Sequence, residues 1–260
     1  EPGILEYTID STVNLLCKNL CTGFISMTPT GGTDPYQVSW YNLTGSPTGT
    51  SVSSLCAGTW KFELTDYNNC TDSGEVIITE PALELTSSIT DTTHNLCFGD
   101  CGGNATVTAS GGTGEKVYSW YDSPDIDIDV YAENLCAGTY NVKVADENGC
   151  LDTSKVTITE PVDIILTTNI EVTSCGNLDT SSASVNVVGG TPPYTYDWYD
   201  AGNVTNDTVT NLPSGTFHCE VRDFNNCLDT AEVVIDAPEP VVATIRDDTI
   251  HNSCFGQCIG

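Results

Sequence analysis

The sequence predicts an all-β chain: a tandem array of immunoglobulin-like β-sandwich repeats of about 80 residues, stapled by disulfides. Three observations predict it. The first is self-similarity. Cys17, Cys21, Gly31-Gly32, Trp40-Tyr41, Cys56, Gly58 and Cys70 recur 80 residues later as Cys97, Cys101, Gly111-Gly112, Trp120-Tyr121, Cys136, Gly138 and Cys150. The second is a hydrophobic period of two, which belongs to half-buried strands, with no convincing 3.6-residue period anywhere. The third is punctuation: Gly, Asn and Asp separate six or seven short runs per repeat, and 13 cysteines sit among those turn residues. Regular cysteines in small sandwich modules point to an oxidising compartment.

A third copy follows at offsets of 78 and then 77, with Cys175, Gly189-Gly190, Trp198-Tyr199, Gly215 and Cys227. Each copy closes on a similar phrase: Thr79-Glu80-Pro81, Thr159-Glu160-Pro161 and Asp236-Ala237-Pro238. The repeats are therefore placed at 1–81, 82–161 and 162–239. Residues 240–260 open a fourth copy, because Cys254-Phe255-Gly256-Gln257-Cys258 repeats Cys97-Phe98-Gly99-Asp100-Cys101. Glu1-Pro2 matches the last dipeptide of a repeat, so the sequence reads as a window on a longer array.

Repeat 2 justifies the strands in order. Ala105, Val107 and Ala109 alternate with Thr106, Thr108 and Ser110, and the run ends at Gly111-Gly112. Tyr118 and Trp120 share one face, with Ser119 and Tyr121 on the other. Tyr140, Val142 and Val144 alternate with Asn141, Lys143 and Ala145. The turn Asp146-Glu147-Asn148-Gly149 leads to a last strand carrying Val156 and Ile158. The next apolar strand starts within about three residues of Pro81 or Pro161. Proline fixes its own φ and restricts the residue before it, so the linkers are expected to be stiff and the array an extended rod.

Composition excludes several classes of function. Seven Lys plus Arg face 36 Asp plus Glu, a formal net charge of −29. That surface repels phosphate backbones and anionic headgroups, so no nucleic-acid partner and no direct membrane insertion are expected. No apolar run approaches the length of a membrane span. With 39% hydrophobic residues at regular spacing the chain is folded rather than disordered. Five Asn-x-Ser/Thr sites, at Asn42, Asn69, Asn104, Asn203 and Asn206, are compatible with secretion. Three histidines and no G-x-S-x-G or H-E-x-x-H stretch argue against an enzyme.

The cysteines can be paired by comparing repeats. Repeat 3 keeps the first and fourth positions, as Cys175 and Cys227, but carries Asp179 and Pro213 at the second and third. Positions lost together were bonded together. The expected bonds are Cys21–Cys56 and Cys101–Cys136, then Cys17–Cys70, Cys97–Cys150 and Cys175–Cys227. Cys219 stands where Phe62 and Val142 point inward. It is either a buried free thiol or the partner of Cys175, in which case Cys227 is left over.

Three further clusters have a chemical and a structural reading. His94, Cys97 and Cys101 have the look of zinc ligands, repeated at His251, Cys254 and Cys258, but repeat 1 has Asn14 at the histidine position and disulfides are favoured. Asp125, Asp127 and Asp129 alternate with Ile126, Ile128 and Val130 and could line one strand face as hard ligands for calcium. The alternative is a solvated, charged edge. No other cofactor is expected. Trp40, Trp120 and Trp198 read as core aromatics rather than sugar-stacking platforms, and Asp66, Asp146 and Asp223 read as caps of the turn before the fourth cysteine.

Gly111-Gly112-Thr113, Tyr118-Ser119-Trp120, Leu135-Cys136-Ala137-Gly138-Thr139-Tyr140, Asp146-Glu147-Asn148-Gly149-Cys150 and Thr157-Ile158-Thr159-Glu160-Pro161 together resemble the SprB-type repeat. The resemblance covers essentially the whole chain and is weakest in repeat 3, at Asp179, Pro213 and Cys219. It implies a segment of a very large surface adhesin of gliding Bacteroidetes, exported by the type IX secretion system and displayed at the bacterial cell surface for adhesion or gliding motility. Similar repeats also act as spacers in other long secreted proteins. The expected partners are neighbouring repeats of the same chain, other copies in a fibre, and surface polysaccharide. The expected role is a stalk or filament segment, with a polysaccharide-binding module or a spacer between a secreted enzyme and its anchor as alternatives.

Overall fold

A computed structural model describes residues 2–41, 48–121, 129–172 and 181–237. Among them are eighteen strands, one short 3-10 turn at Tyr199–Ala201 and no helix long and apolar enough to cross a membrane. The chain divides into two compact units, Glu1–Pro161 and Val162–Gly260.

In the first unit, repeat 1 is built from β1 (Glu6–Val13), β2 (Gly23–Thr30), β3 (Gln37–Trp40), β4 (Ser51–Leu55), β5 (Gly58–Thr65) and β6 (Thr71–Ile78). They form two three-stranded antiparallel sheets, ordered β1-β2-β4 and β3-β5-β6. Repeat 2 copies this with β7 (Thr86–Thr93), β8 (Gly103–Ser110), β9 (Lys116–Tyr121), β10 (Tyr131–Leu135), β11 (Gly138–Asp146) and β12 (Leu151–Ile158). Its sheets are β7-β8-β10 and β9-β11-β12. In the second unit, β13 (Ile165–Glu171), β14 (Ser181–Val188), β15 (Thr195–Asp197), β16 (Thr208–Leu212), β17 (Gly215–Arg222) and β18 (Leu228–Ile235) repeat the order again, as β13-β14-β16 and β15-β17-β18. First, second and fourth strand against third, fifth and sixth matches the A-B-E and C-F-G strands of an immunoglobulin sandwich.

Each sandwich closes on its own apolar cluster, fed by alternate residues of the facing sheets. Ile25 and Met27 on β2 meet Val38 and Trp40 on β3 and Phe62 and Leu64 on β5. Repeat 2 uses Ala105, Val107, Trp120, Val142 and Val144, and repeat 3 uses Ala183, Val185, Trp198, Cys219 and Val221. Smaller residues on one strand are matched to larger ones opposite. Gly74 leaves room for the Tyr7 ring, which stacks edge-on against Phe62 with centroids 4.7 Å apart. Repeat 2 has Ser87 and Ser154 at these two positions, and there the hydroxyls bond to each other at 2.8 Å.

The Gly-Gly pair ends the second strand of each repeat with both residues at positive φ. A side chain on the first glycine would strike the carbonyl of Ile4, Glu84 or Asp163. The segment leading into each sandwich therefore crosses its Gly-Gly turn at backbone contact, held by Gly32 N–H to Gly3 O, Gly112 N–H to Leu83 O and Gly190 N–H to Val162 O. This lays the start of every repeat beside its own turn between the fifth and sixth strands.

Candidate functional site: the junction between repeats 1 and 2

Chemistry-bearing side chains converge at two ends of each sandwich. At one end, the turn before the fourth cysteine is organised by a buried aspartate. Asp146 Oδ1 accepts the N–H groups of Asn148 and Cys150 at 3.0 and 2.9 Å, and Oδ2 accepts Thr113 N–H at 2.8 Å. Asp66 holds Asn68, Cys70 and Thr33 in the same way, and Asp223 holds Asn225, Cys227 and Thr191. All three are buried. Burial pushes the Asp66 and Asp146 carboxyls up, but three backbone donors outweigh it and hold both below the ordinary carboxylate range.

At the other end lies the loop between the first and second strands, residues 14–22 in repeat 1. It is pinned to its own sandwich by four links. Asn14 Oδ1 accepts Thr79 N–H at 2.9 Å. Leu15 N–H donates to Thr79 O at 2.9 Å. Glu80 Oε2 accepts Asn19 N–H at 2.9 Å, and Cys21 is bonded to Cys56. Repeat 2 reproduces the set with Thr159 N–H to His94 Nδ1 at 3.2 Å, Asn95 N–H to Thr159 O, Gly99 N–H to Glu160 Oε2 at 2.7 Å and the Cys101–Cys136 bond. The exchange of Asn14 for His94 is explained: both supply one acceptor to the same backbone donor, and neither is placed for metal. The Glu of each Thr-Glu-Pro phrase serves as an anchor for that loop.

In the first unit these two ends meet. Cys17 is bonded to Cys150, with Cα atoms 5.5 Å apart and a sequence separation of 133. The expected Cys17–Cys70 and Cys97–Cys150 bonds are corrected by this. Cys70 is an exposed free thiol, and Cys97 is disulfide-bonded elsewhere than at Cys150. The reason is distance. Cys56 and Cys70 flank β5, whose eight residues span about 26 Å, whereas four residues from Cys21 to Cys17 reach at most about 14 Å. The first and fourth cysteines of one sandwich therefore sit at opposite ends of it. Around the bridge, Lys18 Nζ donates to Ala82 O at 2.6 Å, Asn19 Nδ2 to Glu84 Oε2 at 3.3 Å, and Asn148 Nδ2 to Leu16 O at 3.1 Å. A cleft of about 300 Å³ remains between Leu20, Leu83 and the Gly149-Cys150 turn.

The remaining predicted positions divide as follows. Trp40, Trp120 and Trp198 are 1%, 3% and 0% exposed, too deep to stack on a sugar. Their indole N–H groups donate to Gly49, Asp129 and Asn206 carbonyls at 2.9–3.0 Å. Cys219 is a buried free thiol, which burial pushes up to about 11. Cys227 is disulfide-bonded. Cys175, Asp125, Asp127, His251, Cys254 and Cys258 lie outside the described residues. Asp129 contributes its carbonyl to Trp120 and its carboxylate to Val130 N–H. Among the described residues no group of three His, Cys, Asp or Glu is placed to hold a metal ion.

The SprB repeat family model matches residues 9–45 and 167–203, the same stretch of repeats 1 and 3 from the first strand through the core tryptophan. Over these two stretches the chain is similar to the SprB repeat. A relative, protein dduB of Dictyostelium discoideum, is 25% identical over 174 residues, covering 62% of this chain and 14% of that protein's length. The chain thus spans a small fraction of the relative it matches. Similar solved structures include the N-terminal eight immunoglobulin domains of Down Syndrome Cell Adhesion Molecule isoform 1.30.30, at 12% identity, 90% of this chain, 42% of that one and a TM-score of 0.38. Another is the human desmocollin-1 ectodomain, at 11% identity, 94% of this chain, 61% of that one and a TM-score of 0.31. In the first unit, the site that sequence comparison missed is the contact between successive copies.

Proposed function

We propose that this chain is a stalk or filament segment of an extracellular bacterial surface adhesin, whose repeats carry load and are not themselves catalytic. The observation that supports this most strongly is the Cys17–Cys150 bond. Tension applied along the chain enters at Cys17 and leaves at Cys150 through sulfur, so residues 18–149 are sheltered from it. Both sandwich cores of the first unit lie within that sheltered stretch apart from their first and last strands. The same bond suits a compartment in which thiols are oxidised, and a net charge of −29 keeps such a surface soluble and hydrated.

Single-molecule force spectroscopy tests the reading. The oxidised chain is expected to give a shorter contour-length gain than a Cys17→Ser variant, because the variant exposes both cores to the pull. Equal gains from the two proteins would show that the bridge bears no load, and would remove the basis of the proposal.

A further inference from the structure

The turn that receives Cys17 in repeat 2 exists in repeat 1 as well, and there it is open. Asp66 takes the same three backbone donors as Asp146, at 2.9, 2.9 and 3.0 Å. Asp66 N–H donates to Cys70 O at 3.0 Å, as Asp146 N–H donates to Cys150 O at 3.0 Å. Asn69 and Gly149, each just before the cysteine, both adopt positive φ, 63° and 77°. The incoming segment crosses the Gly-Gly turn identically, through Gly32 N–H to Gly3 O and Gly112 N–H to Leu83 O. Two cysteines are thus presented in one frame. Cys150 is 9% exposed and bonded. Cys70 is exposed and free, and Ile4 and Tyr67 of the same repeat are 83% and 69% exposed. Ile4 stands where Glu84 accepts Asn19 Nδ2 in the filled junction.

From this correspondence we propose that the Cys70 face of repeat 1 is a docking site for the Cys-x-x-x-Cys loop of another SprB repeat joined to it head to tail. The first cysteine of that loop forms a disulfide with Cys70. The inference rests on the stalk reading and gives it a rule: the first cysteine of one repeat is joined to the fourth of the next. The occupant is fixed by the filled junction, where the partner is such a loop, residues 14–22, approaching across a Glu-Pro linker. Formation of the bond removes one hydrogen from each thiol. The two electrons and two protons pass to a disulfide oxidant such as oxidised glutathione, which leaves as two thiols.

The test inserts a copy of residues 3–81 between Pro2 and Gly3, so that a complete repeat precedes repeat 1. The copy carries Thr12→Ser and Glu75→Asp as mass marks, both at exposed strand positions away from the docking loop. After refolding in a glutathione buffer, non-reduced peptides are mapped by mass spectrometry, and free thiols are counted with a maleimide. The expected result is the marked Cys17 peptide joined to the unmarked Cys70 peptide. Cys70 labelling in the parent chain should then fall at least tenfold in the extended one. Cys70 left free, joined to Cys17 of its own repeat, or joined to Cys70 of a second molecule would overturn the inference. The unmarked Cys17–Cys150 peptide separates the two readings. If it is present while Cys70 is free, only the docking inference fails; if it is absent, the stalk reading fails with it.

Discussion

At the residue scale, the most informative groups are polar side chains that the sequence shows only as recurring letters. Asp146 is a carboxylate because three N–H groups need acceptors in a place water hardly reaches. An Asn there would offer one oxygen and turn its amide toward a donor. Asp146→Asn is therefore expected to cost about 1–3 kcal/mol, through a buried N–H left without a partner. Because its native carboxyl is held low, the stabilisation it brings is complete above the unfolded value near 3.9 and is lost as pH falls through the native one. Thermal melts from pH 7 down to pH 2 should show a shallower acid limb in the variant; an unchanged limb would deny Asp146 this role. His218 carries the opposite sign. Asp200 Oδ2 lies 2.6 Å from its Nδ1 and Glu232 Oε2 3.5 Å from its Nε2. The Asp200 bond raises the imidazole above its ordinary value against a smaller effect of burial. The stabilisation is complete below about pH 6.5 and fades as pH rises through the raised native value. An NMR titration should place His218 above 6.5 and return it toward that value in Asp200→Asn; no movement would contradict the pairing.

At the scale of elements, strands were legible in the sequence and loops were not. Alternation along Ala105–Ser110 and Tyr140–Ala145 is a direct image of the pleat, so β8 and β11 could be read residue by residue. The loop of residues 14–22 has no period. Its shape comes from acceptors far along the chain, at Asn14 and Glu80, whose letters alone do not say what they accept. The histidine beside two cysteines at 94–101 suggested metal for the same reason: a lone acceptor to backbone and a zinc ligand look alike until the donor is seen. Glu80 is the element's anchor. Glu80→Ala removes the acceptor of Asn19 N–H and is expected to cost repeat 1 about 1 kcal/mol. It should also lower the fraction of molecules that close the Cys17–Cys150 bond on refolding in a glutathione buffer. A variant that closes it as completely and as fast as the parent would show that the loop needs no anchor.

At the scale of the whole molecule, comparison of repeats identified which cysteine positions belong together. Second with third holds within each of repeats 1 and 2. First with fourth inside one repeat does not hold: Cys17 is bonded to the fourth cysteine of the next copy. Repeat 3 retains both first and fourth positions, which satisfies either arrangement, so the comparison could not say which copy supplies the partner. The length of β5 could have, since it separates Cys56 from Cys70 by more than the Cys17–Cys21 spacing can recover. The consequence is large. In the loop-entropy model a bond closing 133 residues contributes about 5 kcal/mol when both sandwiches unfold, against about 4 kcal/mol for the 35-residue loops inside them. Two small modules that would each be marginal alone are thereby coupled.

The central claim, that repeats 1 and 2 are joined by sulfur, is tested most directly by mapping disulfides in the unreduced 260-residue chain. Free thiols are blocked at acidic pH to prevent exchange, and peptides are identified by mass spectrometry before and after reduction. The account predicts one peptide pair containing Cys17 and Cys150, with Cys70 carrying the blocking group. A pair containing Cys17 and Cys70, with Cys150 joined to Cys97, would contradict it.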